Sequence, residues 1–311
     1  MSTLHADYQH IDSTRQGSAR RVSLKVLAAS LLAASPLLSQ ADEGNKDDKI
    51  QLSTPQVAAC SMRYGLVADL APPSYARDGK EAVRLGFGTN DDWGTEKNVE
   101  VLSPQEAGLG ETALRVHYPE GTSAPSDQGE GGAGFYATIG ELHRAERACL
   151  QYKVRFEPGF DFVKGGKLPG LYGGNAPSGG DEVTGEKGFS MRFMWREDGK
   201  GELYEYVVKD EEYGQSVGRG RWTFPTGEWV TVEQEIILND PGRDNGVARV
   251  WIDGEPVLEQ HNIIYRRDDD IYVDGLMFST FFGGHGKGWR TPKDQVADFA
   301  DFRFYRQRGN T

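Results

Sequence analysis

Beyond residue 60 the hydrophobic side chains recur at every second position, the spacing of strands with one buried face, and rarely at helical spacing. This pattern predicts strands over Val83–Phe87, Asn98–Leu102, Thr112–Tyr118, Gly134–Ile139, Ala148–Phe156, Phe189–Trp195 and Leu203–Lys209. It continues through Arg221–Phe224, Trp229–Leu238, Val247–Ile252, Glu255–Glu259, Tyr272–Phe282 and Asp298–Tyr305. Turn residues punctuate the runs, and Asp253-Gly254 joins two of them across a two-residue hairpin. Helical signal is thin, one turn near Glu141–Arg147. Many antiparallel strands at this spacing predict an all-β, single-domain β-jelly roll of two antiparallel sheets with a concave groove.

One stretch stands out, from Lys164 to Tyr206. In Phe189–Trp195 the side chains of Phe189, Met191, Phe193 and Trp195 share one face and those of Ser190, Arg192 and Met194 the other. Tyr204 and Tyr206 share a face of the next strand. The turn Glu197–Gly201 is short enough to make the two strands antiparallel neighbours. With the right register, Ser, Arg and both Tyr converge on one patch. Glu205, on the opposite face, is a poor core residue. The preceding segment Gly165–Gly174 reads as a glycine-rich loop that carries Lys167, stiffened by Pro169. Each piece alone is ordinary; their joint spacing is not.

The ends and the composition refine this picture. Residues 1–41 read as a signal peptide: Arg20, Arg21 and Lys25, an apolar run from Val26 to Leu38, then a small-residue site at Ser39-Gln40-Ala41. The run is too short to anchor in a bilayer. It implies a secreted or periplasmic protein with no membrane partner after cleavage. Residues 42–60 read as a disordered linker and 61–311 as the domain. Cys60 and Cys149 suit either one bridge or two buried thiols. The net charge of -12 argues against nucleic acid as a partner, but a local basic groove on an acidic protein can still take an anionic ligand.

Lys-Leu-Pro-Gly-Leu at 167–171, Phe-Ser-Met-Arg-Phe-Met-Trp at 189–195 and Tyr-Glu-Tyr at 204–206 resemble polysaccharide lyase family 14, the alginate lyases and related glucuronan lyases. The resemblance runs from about Arg63 to Tyr305. It implies a jelly roll, an anionic polysaccharide substrate such as mannuronate-containing alginate, and catalytic roles for Lys167, Ser190, Arg192, Tyr204 and Tyr206.

The chemistry suits these residue types. β-Elimination removes the C5 proton of a 4-linked uronate and expels O4, leaving a 4,5-unsaturated sugar. The proton is weakly acidic beside a charged carboxylate, so a cation must neutralise that group, and Arg192 can grip it with two parallel hydrogen bonds. A base and an acid must follow. Lys167 or Tyr206 suits the base, Tyr204 or Tyr206 the acid, and Ser190 an orienting contact. Each cation lowers the pKa of its neighbours, which predicts a neutral-to-alkaline optimum.

Tyr172, His285, Lys287 and Trp289 are candidate substrate contacts; the last three sit in a glycine-rich run after a strand. No set of His and Cys has metal spacing, and Asp268-Asp269-Asp270 with Asp274 fits a solvated acidic turn better than a calcium loop. No metal or cofactor is needed. A glycoside hydrolase would need paired carboxylates on one strand face, which the central strands lack. A non-catalytic carbohydrate-binding sandwich fits Trp251–Glu255 but leaves the Lys, Arg and Tyr grouping without a role.

Overall fold

The computed structural model describes residues 50–127, 131–209 and 214–307. The expected signal segment and the first part of the linker lie outside them. In chain order the first strands are β1 (Leu52–Ser53), β2 (Gly65–Leu70), β3 (Asp92–Trp93), β4 (Val99–Leu102), β5 (Ala113–Tyr118), β6 (Ala133–Thr138), β7 (Arg147–Phe156) and β8 (Gly165–Gly174). There follow β9 (Gly188–Arg196), β10 (Gly201–Tyr206), β11 (Gln215–Val217), β12 (Val230–Ile237), β13 (Gly246–Ile252), β14 (Glu255–Ile263), β15 (Gly275–Phe282) and β16 (Gln295–Arg306).

They build two antiparallel sheets. The nine-stranded back sheet runs β1-β14-β13-β12-β7-β16-β5-β4, with β2 also on β16. The seven-stranded site sheet runs β11-β10-β9-β8-β15-β6-β3. The apolar halves of both sheets meet in one core. From β9, Phe189, Met191, Phe193 and Trp195 are completely buried. Phe193 meets Tyr152 of β7 at 6.3 Å between ring centroids, and Trp195 meets Phe156 at 5.4 Å. Burying each such side chain contributes about 1.5–3 kcal/mol. Asp253 and Gly254 both take positive φ, 50° and 82°, and return β13 into β14 as the dipeptide predicts.

Several elements depart from the hydrophobic pattern. The expected strand Val83–Phe87 is the end of a helix, Gly79–Phe87. Asp78 caps its N-terminus by accepting from the Glu81 N–H, and Gly88 closes it in the left-handed region (φ 69°). Caps at both ends outweigh the short apolar run inside. Arg221–Phe224 forms no strand beyond a single bridge at Thr223, although Trp222 and Phe224 are buried. The helical turn near Glu141 is a 3-10 turn at Gly140–Leu142. Most important for the site, Gly165–Gly174 is not a loop but the central strand β8.

The folded domain also begins before residue 61. Leu52 and Ser53 pair with Gln260 and Glu259 of β14, a strand too short to show any periodicity. Cys60, at the start of a short helix (Cys60–Arg63), is bonded to Cys149 of β7. This bridge closes a loop with a sequence separation of 89. A closure of that length stabilises a fold by on the order of 4–5 kcal/mol.

Candidate active site

The cross-strand register lays the candidate residues in rows on the face of the site sheet that points away from the core. On β9 and β10, Tyr204 pairs with Arg192 and Tyr206 with Ser190. On β8, Gly170 pairs with Arg192, Tyr172 with Ser190 and Lys167 with Met194. Lys167 has the wrong parity to share a face with Gly170 and Tyr172. A bulge between Leu168 and Gly170, at Pro169, corrects this by adding one residue to β8. Gly170 is required there: a Cβ would lie 2.0 Å from the Met191 carbonyl oxygen.

Above these rows lies a cleft of about 420 Å³. Lys167, Arg192, Tyr204 and Tyr206 line it, together with Tyr136 of β6, Met277 and Ser279 of β15, and His285. Its rims are Ala124–Ser126, Ser178–Gly179 and Gly284. Among the described residues no Asp or Glu lines it. The paired carboxylates that a glycoside hydrolase uses are therefore missing from this wall.

Arg192 is 3% exposed. One of its terminal nitrogens donates to Ser279 Oγ at 3.3 Å, and its guanidinium lies 5.9 Å from the centre of the Tyr206 ring. Its Nε is buried without a hydrogen-bond acceptor, and among the described residues no carboxylate pairs with it. Burial alone lowers its pKa from the usual arginine range, against the pull of Tyr206, Tyr204 and Tyr136. Such an arginine is built for a planar anion that arrives from outside.

Lys167 is half-buried. Its Nζ sits 2.8 Å from Met194 Sδ and 3.3 Å from the centre of the Tyr204 ring. Burial, then Arg192 and Arg196, push its ammonium well below the usual lysine range; Glu202 opposes them. Glu202 is already held by Arg196 and Arg219, each at 2.6 Å. Tyr204 moves the other way: burial, then Tyr206, raise its pKa, with Arg192 opposing. The wall thus favours a neutral amine beside a protonated phenol. The Tyr206 hydroxyl accepts from the Gly180 N–H at 3.2 Å, and its ring lies 5.7 Å from that of Tyr204.

Not every candidate reaches the cleft. Ser190 is completely buried and donates to the Pro177 carbonyl at 2.6 Å, tying down the loop that forms one rim. Tyr172 packs with Tyr136, Ala176 and Met277 beneath the surface, its hydroxyl 3.1 Å from Thr138 Oγ1. Lys287 is exposed and Trp289 takes the Lys164 ammonium 5.7 Å from its ring centre; neither lines the cleft. Asp274, considered for a metal, accepts from the Gly174 N–H at 2.7 Å. Glu205 faces inward, where Gln260 of β14 donates to it at 3.1 Å. Tyr136, Met277 and Ser279 carry no local sequence signal. They come from strands far away in the chain, and only sheet order brings them to the site.

The sequence profile of Polysaccharide lyase 14 matches residues 106–302. No curated protein sequence matches the chain. Among solved structures, the PL-14 alginate lyase of Aplysia kurodai is 30% identical, with 78% of this chain and 99% of that one aligned at a TM-score of 0.68. An alginate lyase from a Chlorella virus shares the fold at 22% identity, over 67% and 88% of the two chains, with a TM-score of 0.58. The endo-β-1,4-glucuronan lyase of the fungus Trichoderma reesei does so at 14% identity, over 78% and 96%, with a TM-score of 0.51. The profile spans most of the chain and includes β6, β8, β9, β10 and β15, which carry Tyr136, Lys167, Arg192, Tyr204, Tyr206 and Ser279, so this chain belongs to polysaccharide lyase family 14.

Proposed function

We propose that this protein cleaves 4-linked uronate polymers, with mannuronate-containing alginate as the preferred class, by β-elimination. The observation that carries the reading is Arg192: buried, without a carboxylate partner among the described residues, and placed beside a lysine pushed toward its neutral form. In the proposed step the Arg192 guanidinium binds the C6 carboxylate of the sugar and stabilises the charge that develops as C5 is deprotonated. The Lys167 amine takes the C5 proton. The C4–O4 bond breaks, a C4=C5 double bond forms, and Tyr206 supplies the proton that the departing O4 needs. The Gly180 N–H occupies an acceptor site on the Tyr206 oxygen, which leaves the phenol's own proton free to donate. Tyr204, held protonated, supports the Lys167 amine with its ring face. Solvent returns the proton from Lys167 to Tyr206.

The preference for alginate over glucuronan follows the 30% identity to an alginate lyase. Export to the periplasm or medium is part of the same proposal, motivated by the N-terminal segment and by a disulfide that needs an oxidising compartment. The test is to incubate the protein with polymannuronate, polyguluronate and glucuronan and follow the ultraviolet absorbance of the conjugated product. Polymannuronate is expected to react fastest. Reducing ends without new absorbance would mean hydrolysis, and binding without either product would mean a carbohydrate-binding module.

A further inference from the structure

Lys167 reaches the cleft only through the bulge at Pro169. A bulge disturbs the hydrogen-bond ladder, and the main-chain groups beside it need other partners. Behind it, on the far side of the core, stands Gln234 of β12. It is completely buried among apolar side chains, an expensive place for an amide unless both ends are bonded. Both are. Its Oε1 accepts from the Leu171 N–H at 2.9 Å, and its Nε2 donates to the Met191 carbonyl at 2.9 Å. Leu171 and Met191 are cross-strand partners on β8 and β9, between the row of Arg192 and the row of Ser190. A second brace comes from β7, where the Tyr152 hydroxyl donates to the Pro169 carbonyl at 3.2 Å.

We propose that Gln234 is a positioning residue for the elimination: its amide, reaching in from the opposite sheet, holds the β8 bulge open and so keeps Lys167 on the cleft face. Without the amide, the Leu171 N–H and Met191 carbonyl lose their partner in the core. Closing β8 onto β9 relieves them but removes the extra residue. Lys167 then changes parity, because a one-residue slip turns side chains to the other face. The consequence for rate rests on the lyase reading; the consequence for Lys167 does not.

The test compares Gln234→Met, which keeps the shape but not the amide, with Gln234→Glu, whose buried carboxyl stays protonated and can still accept and donate. Two quantities are read. One is kcat and KM on polymannuronate. The other is the titration of Lys167 in 13C-methylated protein without substrate, assigned with Lys167→Arg. Gln234→Met is expected to lower kcat by about 100-fold, the cost of a small misplacement, with KM within about threefold. The Lys167 midpoint should fall further still, because the opposite face of the sheet is the apolar core, where the ammonium loses water and leaves Glu202, while Arg192 and Arg196 already oppose it in the wild type. Gln234→Glu should recover most of both. A Lys167 midpoint unmoved in Gln234→Met overturns the proposal, whether or not the melting temperature falls. If Gln234→Met does not fold, Gln234→Asn decides, because its shorter amide cannot span both groups: shifts of kcat and midpoint in the same directions support the proposal, and neither shift overturns it. A wild-type protein that forms no unsaturated product sinks the lyase reading, while the titration still tests the placement of Lys167.

Discussion

The outer face of the back sheet and the cleft face of the site sheet both bury charge, but they treat it in opposite ways. On the back sheet Glu235 is completely buried and holds Arg63 at 2.7 Å and Arg249 at 3.0 Å, with the Tyr64 hydroxyl as a third partner. Asp298 likewise holds Arg115 at 2.8 Å and Arg155 at 2.7 Å. On the cleft face, among the described residues, Arg192 has a serine hydroxyl and the Tyr206 ring but no carboxylate, and the Lys167 amine has a thioether and a ring. A buried cation without a counter-ion costs stability, so its presence marks a place where the counter-ion comes with a ligand. Paired charge on the back sheet serves the fold; on the cleft face Glu202 is paired in the same way, but Arg192 is not, and its missing partner marks a place for an incoming anion.

Mutations should separate the two. The largest expected effect is on the cleft: Lys167→Ala should lower the rate of unsaturated-product formation by about 10³-fold, the range of a general base, with an unchanged melting profile. Next comes the back sheet. Glu235→Ala strands Arg63 and the Tyr64 hydroxyl, Arg249 keeping Glu259 at 2.5 Å, and should cost about 3 kcal/mol in denaturant unfolding, while the activity of the folded fraction stays at the wild-type level. Arg192→Met should lower kcat/KM by about 10²-fold yet leave the protein as stable or more so, because it removes an unpaired buried charge. If Arg192→Met instead destabilised the protein as Glu235→Ala does, the contrast between the faces would fail.

The smallest effect is on pH dependence. The proposed Lys167 base works neutral, so the rate should rise as pH passes its lowered midpoint. The kcat profile reads this directly. A rate that falls steadily from pH 6 to pH 9 would contradict a lysine base.

Much of this was legible in the sequence, for particular reasons. The alternation in Phe189–Trp195 assigned Arg192 to the face away from the core. The short turn after Trp195 made β10 its neighbour, and Tyr204 and Tyr206 indeed pair with Arg192 and Ser190. β8 was not legible. Five of its ten residues are glycine and one is proline, a composition that reads as loop. It is a strand because it lies between β9 and β15, whose ladders recruit it on both sides. The helix Gly79–Phe87 was hidden for a related reason: Val83–Phe87 alternates over a span too short to show its period.

Alone, then, the sequence determined the sheet faces, the antiparallel β9–β10 pair and the chemical types that face outward, because side-chain alternation and short turns are local properties. The tertiary structure decided which of those side chains meet. The bulge that turns Lys167 outward and the rim that Ser190 secures depend on how β8 and β9 pack against each other, and the amide from β12 and the contributions of Tyr136 and Ser279 depend on strands distant in sequence. So does the state of each proton. Burial pushes Lys167 and Tyr204 in opposite directions, and burial is a property of the packed sheets rather than of any stretch of chain.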